Sequence, residues 1–350
     1  MSKLLLMGAG TETPSGGGNG WSSKTITIDH TKCGSANSTN FPILFSGTYT
    51  YLKTTGNGGS VTSVSGYDIA FFSDSGLTTM LKFERVAWDA TTGACQFWVK
   101  IPTLSSSVDT VIYLAYGNAS ITTDQQDIVN TWNTDFAAVW HMEEDPSGSA
   151  PQILDATSNN NDLTSGNMVS GDSVTGEITK GLNFTNAGNK YLTVASPSFN
   201  NWTNLAVEWW FKAPIANQAV TRFWEWTDTG LLLSGIGYPV TDKKAYIYCN
   251  GTTNAGATDV GDDTWHHAMF TSDGTNHTLY IDTVSYVTQS AAINGATGAF
   301  QVSRYGLGTG YSIDAIQDEM RVYKNFTPNS SWITSSFNSQ SSPSTFYTIT

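Results

Sequence analysis

Few residues in this sequence are of a type and spacing that could do chemistry. Paired carboxylates come first, because glycoside hydrolysis needs two of them flanking one bond. Glu143 and Asp145 stand two apart and would share one face of a strand, but Pro146 follows at once. Asp318 and Glu319 are adjacent, so regular strand alternation points them to opposite faces. His266-His267 lacks the helical H-E-x-x-H spacing of a zinc protease, and no G-x-S-x-G marks an esterase. His30, His141 and His277 are isolated and are given no role. Residues 155–162 (DATSNNND) form a dense run of oxygen donors of the kind that hard cations prefer. The same residues favour turns with no ion present. Gly56–Gly59 and Gly306–Gly310 are glycine-rich but lack the strand-then-helix setting of a phosphate loop.

Aromatic residues are more suggestive. A sugar-binding site stacks a ring on the sugar and bonds its hydroxyls with carboxylate, amide and backbone groups. Trp209 and Trp210 are neighbours on one expected strand, so one faces in and the other out. Val207, Trp209 and Phe211 form the apolar face, and Trp210 shares the other with Glu208 and Lys212. The FWEW run at 223–226 and the alternating Tyr246 and Tyr248 add rings. Trp210 and Trp224 are the candidate carbohydrate-binding residues. Cross-strand packing inside a sandwich is the competing reading of both.

The elements that would hold these residues are strands. Period-two alternation is clear at 24–29 (KTITID), and further runs fall at 41–46, 67–72, 95–101 and 110–116. A second series covers 139–142, 181–184, 191–194, 206–212, 244–249, 265–271, 277–281 and 319–323. Helix signals are confined to 124–132, with Asp124 as cap, and 329–337, with Thr327 as cap and Pro328 at the first helical position. The strand pattern breaks between 117 and 136, which predicts a boundary near 133. The chain therefore reads as all-β: a Gly-rich arm over 1–20, a small antiparallel β-sandwich over 21–133, and a larger one over 134–350.

At 350 residues the chain is long enough for two cores. Charged residues make up 13%, about half the usual ~25%. With 16 basic against 29 acidic residues, the net charge of −13 argues against nucleic acid and anionic membranes as partners. No apolar run approaches the length of a membrane span, and the four-residue run Leu4–Met7 falls short of a secretion signal. Cys33, Cys95 and Cys249 make neither a disulfide framework nor a zinc site and read as small buried hydrophobes.

The order of several segments carries a resemblance. FPILFS (41–46), YDIAFFSD (67–74), FWVKIPTL (97–104) and TVIYLAYGN (110–118) resemble DUF2341, a small β-sandwich family often found ahead of lectin-like domains. VWHME (139–143), DATSNNNDL (155–163), GLNF (181–184), EWWFKA (208–213), TWHHAMF (264–270), TLYID (278–282) and IDAIQDEMRVY (313–323) resemble a laminin-G-like, concanavalin A-like jelly roll. That second resemblance implies a lectin-type domain. It also implies a structural calcium held by Asp155, Asn159, Asn161 and Asp318, and it makes W-H-H a structural strand motif. The opening LLLMGAG resembles the first residues of many tailed-phage virion proteins.

Together these imply a non-enzymatic bacteriophage virion protein: a capsid decoration, spike or tail-fibre component. It would be displayed on the virion surface as a homo-oligomer, tethered to other virion proteins by its arm, and would offer a lectin-like domain to glycans. The alternatives are a secreted or surface bacterial adhesin and a glycoside hydrolase on the same fold.

Overall fold

In the computed structural model, the described residues are 20–350, less 203, 217, 219, 227–231, 238–240, 294–297 and 307–310. The arm over 1–20 and the LLLMGAG motif thus lie outside them, Gly20 excepted. No helix of the described residues is long and apolar enough to cross a membrane.

The first sandwich packs two small antiparallel sheets. One joins Ser38–Thr48, Ala94–Leu104 and Phe83–Trp88. The other joins Ser22–Ile28, Thr110–Tyr116 and Ile69–Phe72. Every strand expected in this half is present. The alternation in KTITID puts Ile26 and Ile28 into the core. There Phe45, Phe71, Phe83 and Phe97 pack edge-on or tilted, with neighbouring centroids 5.3–6.3 Å apart.

The second half is a larger sandwich of an eight-stranded and a seven-stranded antiparallel sheet. At the centre of the first, Leu205–Lys212 lies between Trp265–Ser272 and Ala315–Lys324. Val207, Trp209 and Phe211 face inward, as the alternation predicts, against Trp224, Trp226, Ile247 and Phe300 of the opposing sheet. Cys33, Cys95 and Cys249 are all free and buried.

The boundary near 133 needs correction, because the chain closes back on its beginning. After the jelly roll, helix Ser330–Ser341 leads to strand Tyr347–Ile349, which pairs with Ser22–Ile28 at the edge of the first sandwich. The Tyr347 ring stacks on Phe45 at 5.6 Å, so the last residues complete the first core. The helix cap is Asn329, whose side chain accepts from the Trp332 N–H, rather than Thr327. The expected helix at 124–132 is only Ile128–Thr131, capped by Asp127. Asp124 instead binds Arg85 at 2.8 Å.

The two sandwiches meet across the outer face of the eight-stranded sheet, and the contact is polar at its centre. His141 bonds Glu84 of the first sandwich at 3.1 Å and Glu319 of the second at 2.9 Å. Arg321 binds Glu319 at 2.9 Å and lies 4.0 Å above the Trp98 ring. Trp132 donates to Glu84 at 2.7 Å. Beside them Glu208 accepts from His267 and Gln340 at 2.8 Å each, and from Tyr323. A bulge in Ala315–Lys324 assembles this row. Glu319 takes a left-handed φ of 49°, and the register slips between Glu208 and Trp210. Asp318 then lies opposite Trp210 and Arg321 opposite Glu208, on one face. The expected split of Asp318 and Glu319 to opposite faces therefore fails.

Burial disfavours a charge on His141, but the Glu319 and Glu84 carboxylates outweigh it and hold its pKa well above 6.5. The bridge therefore stabilises the fold fully below about pH 6.5 and weakens as pH rises through the raised value. Burial also opposes the Glu208 charge, yet Arg321 and His267 hold its pKa below 4.5. That contribution is present above pH 4.5 and fades on acidification. Denaturant melts of the wild type and His141→Gln should differ by about 3 kcal/mol below pH 6.5, since one partner of a buried pair is removed, and converge at high pH. Tyr347→Ala should cost a further ~3 kcal/mol at any pH, by opening a cavity beside Phe45.

Candidate glycan-binding face

The outer side of the seven-stranded sheet carries polar and aromatic side chains directed away from the core, most of them buried. Trp224, Trp226, Ile247, Phe300 and Val302 alternate into the core. Their neighbours Glu225, Tyr246, Tyr248 and Gln301 therefore face outward. The register sets Tyr248 opposite Leu233, Leu233 opposite Glu225, and Glu225 opposite Gln301. One continuous row thus crosses the strands. At one end lies a pocket of about 230 Å3, lined by Val220, Arg222, Leu233, Tyr246, Tyr248, Tyr305 and Tyr311.

The pocket is built around Arg222. Its guanidinium lies 5.4–5.9 Å from the ring centres of Tyr246, Tyr305 and Tyr311. Its Nε donates to Glu225 Oε2 at 3.0 Å and its Nη1 to the Tyr246 hydroxyl. Glu225 Oε1 accepts from the Gly306 N–H at 3.2 Å, and Tyr246 donates to the Thr221 carbonyl at 2.8 Å. Glycine is required at 235, where a Cβ would come within 1.9 Å of that carbonyl. Burial pushes the Glu225 carboxyl above its usual range despite Arg222. The result is a fixed platform of rings with a buried ion pair, and the Tyr248, Tyr305 and Tyr311 rings are partly exposed at its rim. Partly exposed rings beside rigid polar groups are what stacking and hydroxyl recognition need.

The two expected tryptophans are elsewhere. Trp224 is fully buried, with its ring against Trp209, Phe270 and Phe300. Trp210 does lie on the outer side of its sheet, but helix Ser330–Ser341 covers it. It stacks on Phe337 and donates to Gln340 at 2.8 Å. Neither ring face is free to meet a sugar. The strand pattern located Tyr246 and Tyr248 among the aromatics. Arg222, Tyr305 and Tyr311 come from the ends of loops, where no periodicity marks them.

The calcium set does not fit as folded. Asp155, Asn159 and Asn161 share one turn, but they hold each other and the neighbouring strand. Asp155 accepts from the N–H groups of Val139, Thr157 and Asn161 and from the Thr157 hydroxyl, at 2.8–3.0 Å. The Asn159 and Asn161 amides donate to the carbonyls of Phe136 and Ala137, and Asn161 Oδ1 accepts from Ser198. Asp318 is in a different setting, accepting from the Ile178 N–H at 2.8 Å. Burial and the neighbouring Glu319 hold its carboxyl well above 3.8.

The remaining candidates are also structural. Glu143 binds Thr179 and Lys180, while Asp145 caps the Ser147 turn. His267 binds Glu208, and His266 binds Asp282 at 2.7 Å. Residues 56–59 close a short turn with Gly58 at φ 82°. The glycine run at 306–310 falls outside the described residues beyond Gly306. His141, isolated in the sequence and expected to have no role, joins Glu84 to Glu319 in the inter-sandwich bridge.

These features define a two-sandwich protein with a concanavalin A-like second domain. Residues 65–145 match the family described as "Domain of unknown function (DUF2341)". Residues 186–331 match Laminin_G_3, described as the concanavalin A-like lectin/glucanases superfamily. No curated protein matches the chain. Among solved structures, it is similar to domain 4 of an extracellular arabinanase from Geobacillus stearothermophilus, solved with arabinotriose. The identity is 16% and the TM-score 0.43, over 57% of this chain and 97% of that one. The binding domain of Paraclostridial Mosquitocidal Protein 1 (14%, TM-score 0.43) and that of botulinum neurotoxin serotype G (10%, TM-score 0.44) each align with 59% of this chain. The alignment spans about half of either toxin domain, 52% and 51%.

Because its oxygens are already taken, Asp155 should act as a loop clasp. Asp155→Ala should lower stability by about 3 kcal/mol, the cost of orphaning several buried N–H groups. Excess chelator should leave the melting temperature of both proteins unchanged in a thermal-shift assay.

Proposed function

We propose that this protein binds carbohydrate reversibly through the outer face of the seven-stranded sheet, and that the DUF2341 sandwich is its rigid pedestal. The observation that carries the reading is the Arg222–Glu225 pair held under Tyr246, Tyr305 and Tyr311. The family match at 186–331 supports the same reading. A glycan ring stacks on the partly exposed tyrosines, and its hydroxyls bond to the polar groups beside them. We propose binding rather than hydrolysis, because the paired carboxylates in the sequence are tied into turns and the inter-sandwich bridge.

The setting we propose is a virion surface, with residues 1–20 attaching the pedestal to other virion proteins. The low charge, the acidic balance and the LLLMGAG opening support it. Many weak sites on one particle would then act together through avidity. Tryptic mass spectrometry of particles purified from a lysate tests this setting. Stoichiometric presence is expected, and absence from particles together with recovery on cells would favour a bacterial adhesin.

Binding itself is tested by affinity electrophoresis through gels containing arabinan, xylan, mixed-linkage β-glucan or host cell-wall polysaccharide. Retardation of the wild type in at least one gel is expected. Tyr248→Ala should weaken it by roughly ten-fold or more, as loss of one stacking ring does. Trp210→Phe should leave it unchanged. Reducing-sugar release from a retarding polysaccharide would overturn the assignment to binding alone.

A further inference from the structure

A cavity of about 390 Å3 lies where the two sandwiches meet, and both contribute to its walls. That volume falls within the ~300–1,000 Å3 usual for small-molecule sites. Lys100 of Ala94–Leu104 forms one wall, Trp132 and Phe136 of the linker a second, and Thr157–Asn159 of the oxygen-rich turn a third. Strand alternation explains the place of Lys100. Val99 points into the first core, while Gln96 and Trp98 reach Glu319 and Arg321 of the jelly roll, so Lys100 shares their face. The turn opposite it in sequence order is fixed by its own bonds. Thr157 donates to Asp155 at 2.9 Å, and the Asn159 amide donates to the carbonyls of Phe136 and Ala137 and to the Thr157 hydroxyl at 3.1–3.3 Å.

The groups left over at this cavity share one chemistry. Lys100 makes no ion pair among the described residues. The carboxylate acting on it, Asp127, is held by Lys82 at 2.6 Å. Burial, with Lys82 nearby, holds the Lys100 pKa below its usual 10.5. No carboxylate lines the cavity, in a chain that carries 29 acidic residues. Beside the ammonium, the Asn133 amide N–H groups, the Thr134 and Ser158 hydroxyls and Asn159 Oδ1 have no protein partner among the described residues.

We infer that this inter-sandwich cavity is a second binding site, and that it takes an acidic sugar whose carboxylate pairs with Lys100 and whose hydroxyls meet the linker and the oxygen-rich turn. The site shares no residue with the tyrosine pocket and does not depend on it. One ammonium balances one negative charge. That suits a carboxylate better than a phosphate, which carries about −1.5 to −2 at pH 7. The neutral groups select for hydroxyls, because a hydroxyl can both donate to Asn159 Oδ1 and accept from the Asn133 amide. A bare inorganic anion would leave the acceptor unused. The His141 bridge to Glu84 and Glu319 already fixes the two sandwiches against each other, so the walls are in place before a ligand arrives. The first sandwich thereby supplies the charged residue of a site as well as support.

The test is calorimetric titration of the full chain with glucuronate, galacturonate and N-acetylneuraminate, beside glucose, galactose and inorganic phosphate. At least one acid should bind at a single site, roughly ten-fold or more tighter than the neutral sugars and phosphate. Lys100→Met, which keeps the stem and removes the charge, should cost roughly ten-fold, and Lys100→Arg should restore most of it. Ser158→Glu sets a carboxylate on the jelly-roll wall at an exposed position and should abolish binding of the acid. Thermal melts should show all three variants folded. Lys100→Met should leave retardation in neutral polysaccharide gels unchanged, which separates this site from the tyrosine pocket. Failure of all three acids to bind, equal affinity for acid and neutral sugar, or phosphate binding in place of the acids would overturn the acidic-sugar site and leave the tyrosine pocket standing. Acid binding untouched by both Lys100→Met and Ser158→Glu would place the sugar elsewhere and overturn it as well.

Discussion

The structure turns on the buried ion row between its two sandwiches. Glu84, His141, Glu319 and Arg321 form one chain of charge-assisted bonds from the first sandwich to the second. Buried charges are costly to desolvate, so this row does not make the protein stable in itself. It does make one arrangement of the two domains far better than any other, because any slip leaves a charge unpaired. The aromatic rings of Trp98 and Trp132 complete it by covering Arg321.

From that row follows the division of labour between the faces of the jelly roll. The outer face of the eight-stranded sheet is covered by the first sandwich and by helix Ser330–Ser341, which places Ser336 and Gln340 on Glu208. The closing strand Tyr347–Ile349 then ties the end of the chain to its beginning. The outer side of the seven-stranded sheet carries the candidate site. The side chains of that candidate site stand on strands and short loops backed by a dense tryptophan and phenylalanine core. A rigid backing of that kind holds a constellation in place better than free loops do.

Much of the fold was legible in the sequence. Period-two runs such as KTITID and EWWFK identify strands because side chains alternate across a sheet by geometry alone. The same rule separated inward Trp209 from outward Trp210. It could not say that outward meant covered, because the covering helix is more than a hundred residues further along the chain. It also failed at Asp318 and Glu319, where a bulge resets the alternation. The oxygen-rich turn at 155–162 was recognised, but composition cannot tell whether its oxygens point to a cation or to the turn's own N–H groups.

By itself, then, the sequence determined the local order: strands, turns, two successive all-β domains and the aromatic supply. Those follow from propensity and periodicity, which act over a few residues. Tertiary structure alone decided that the outer face of the eight-stranded sheet is covered, that the last strand belongs to the first core, and that Arg222, Glu225, Tyr246, Tyr305 and Tyr311 converge. These depend on contacts between residues far apart in the chain, set by register, bulge and inter-sandwich pairing, and no local pattern carries them.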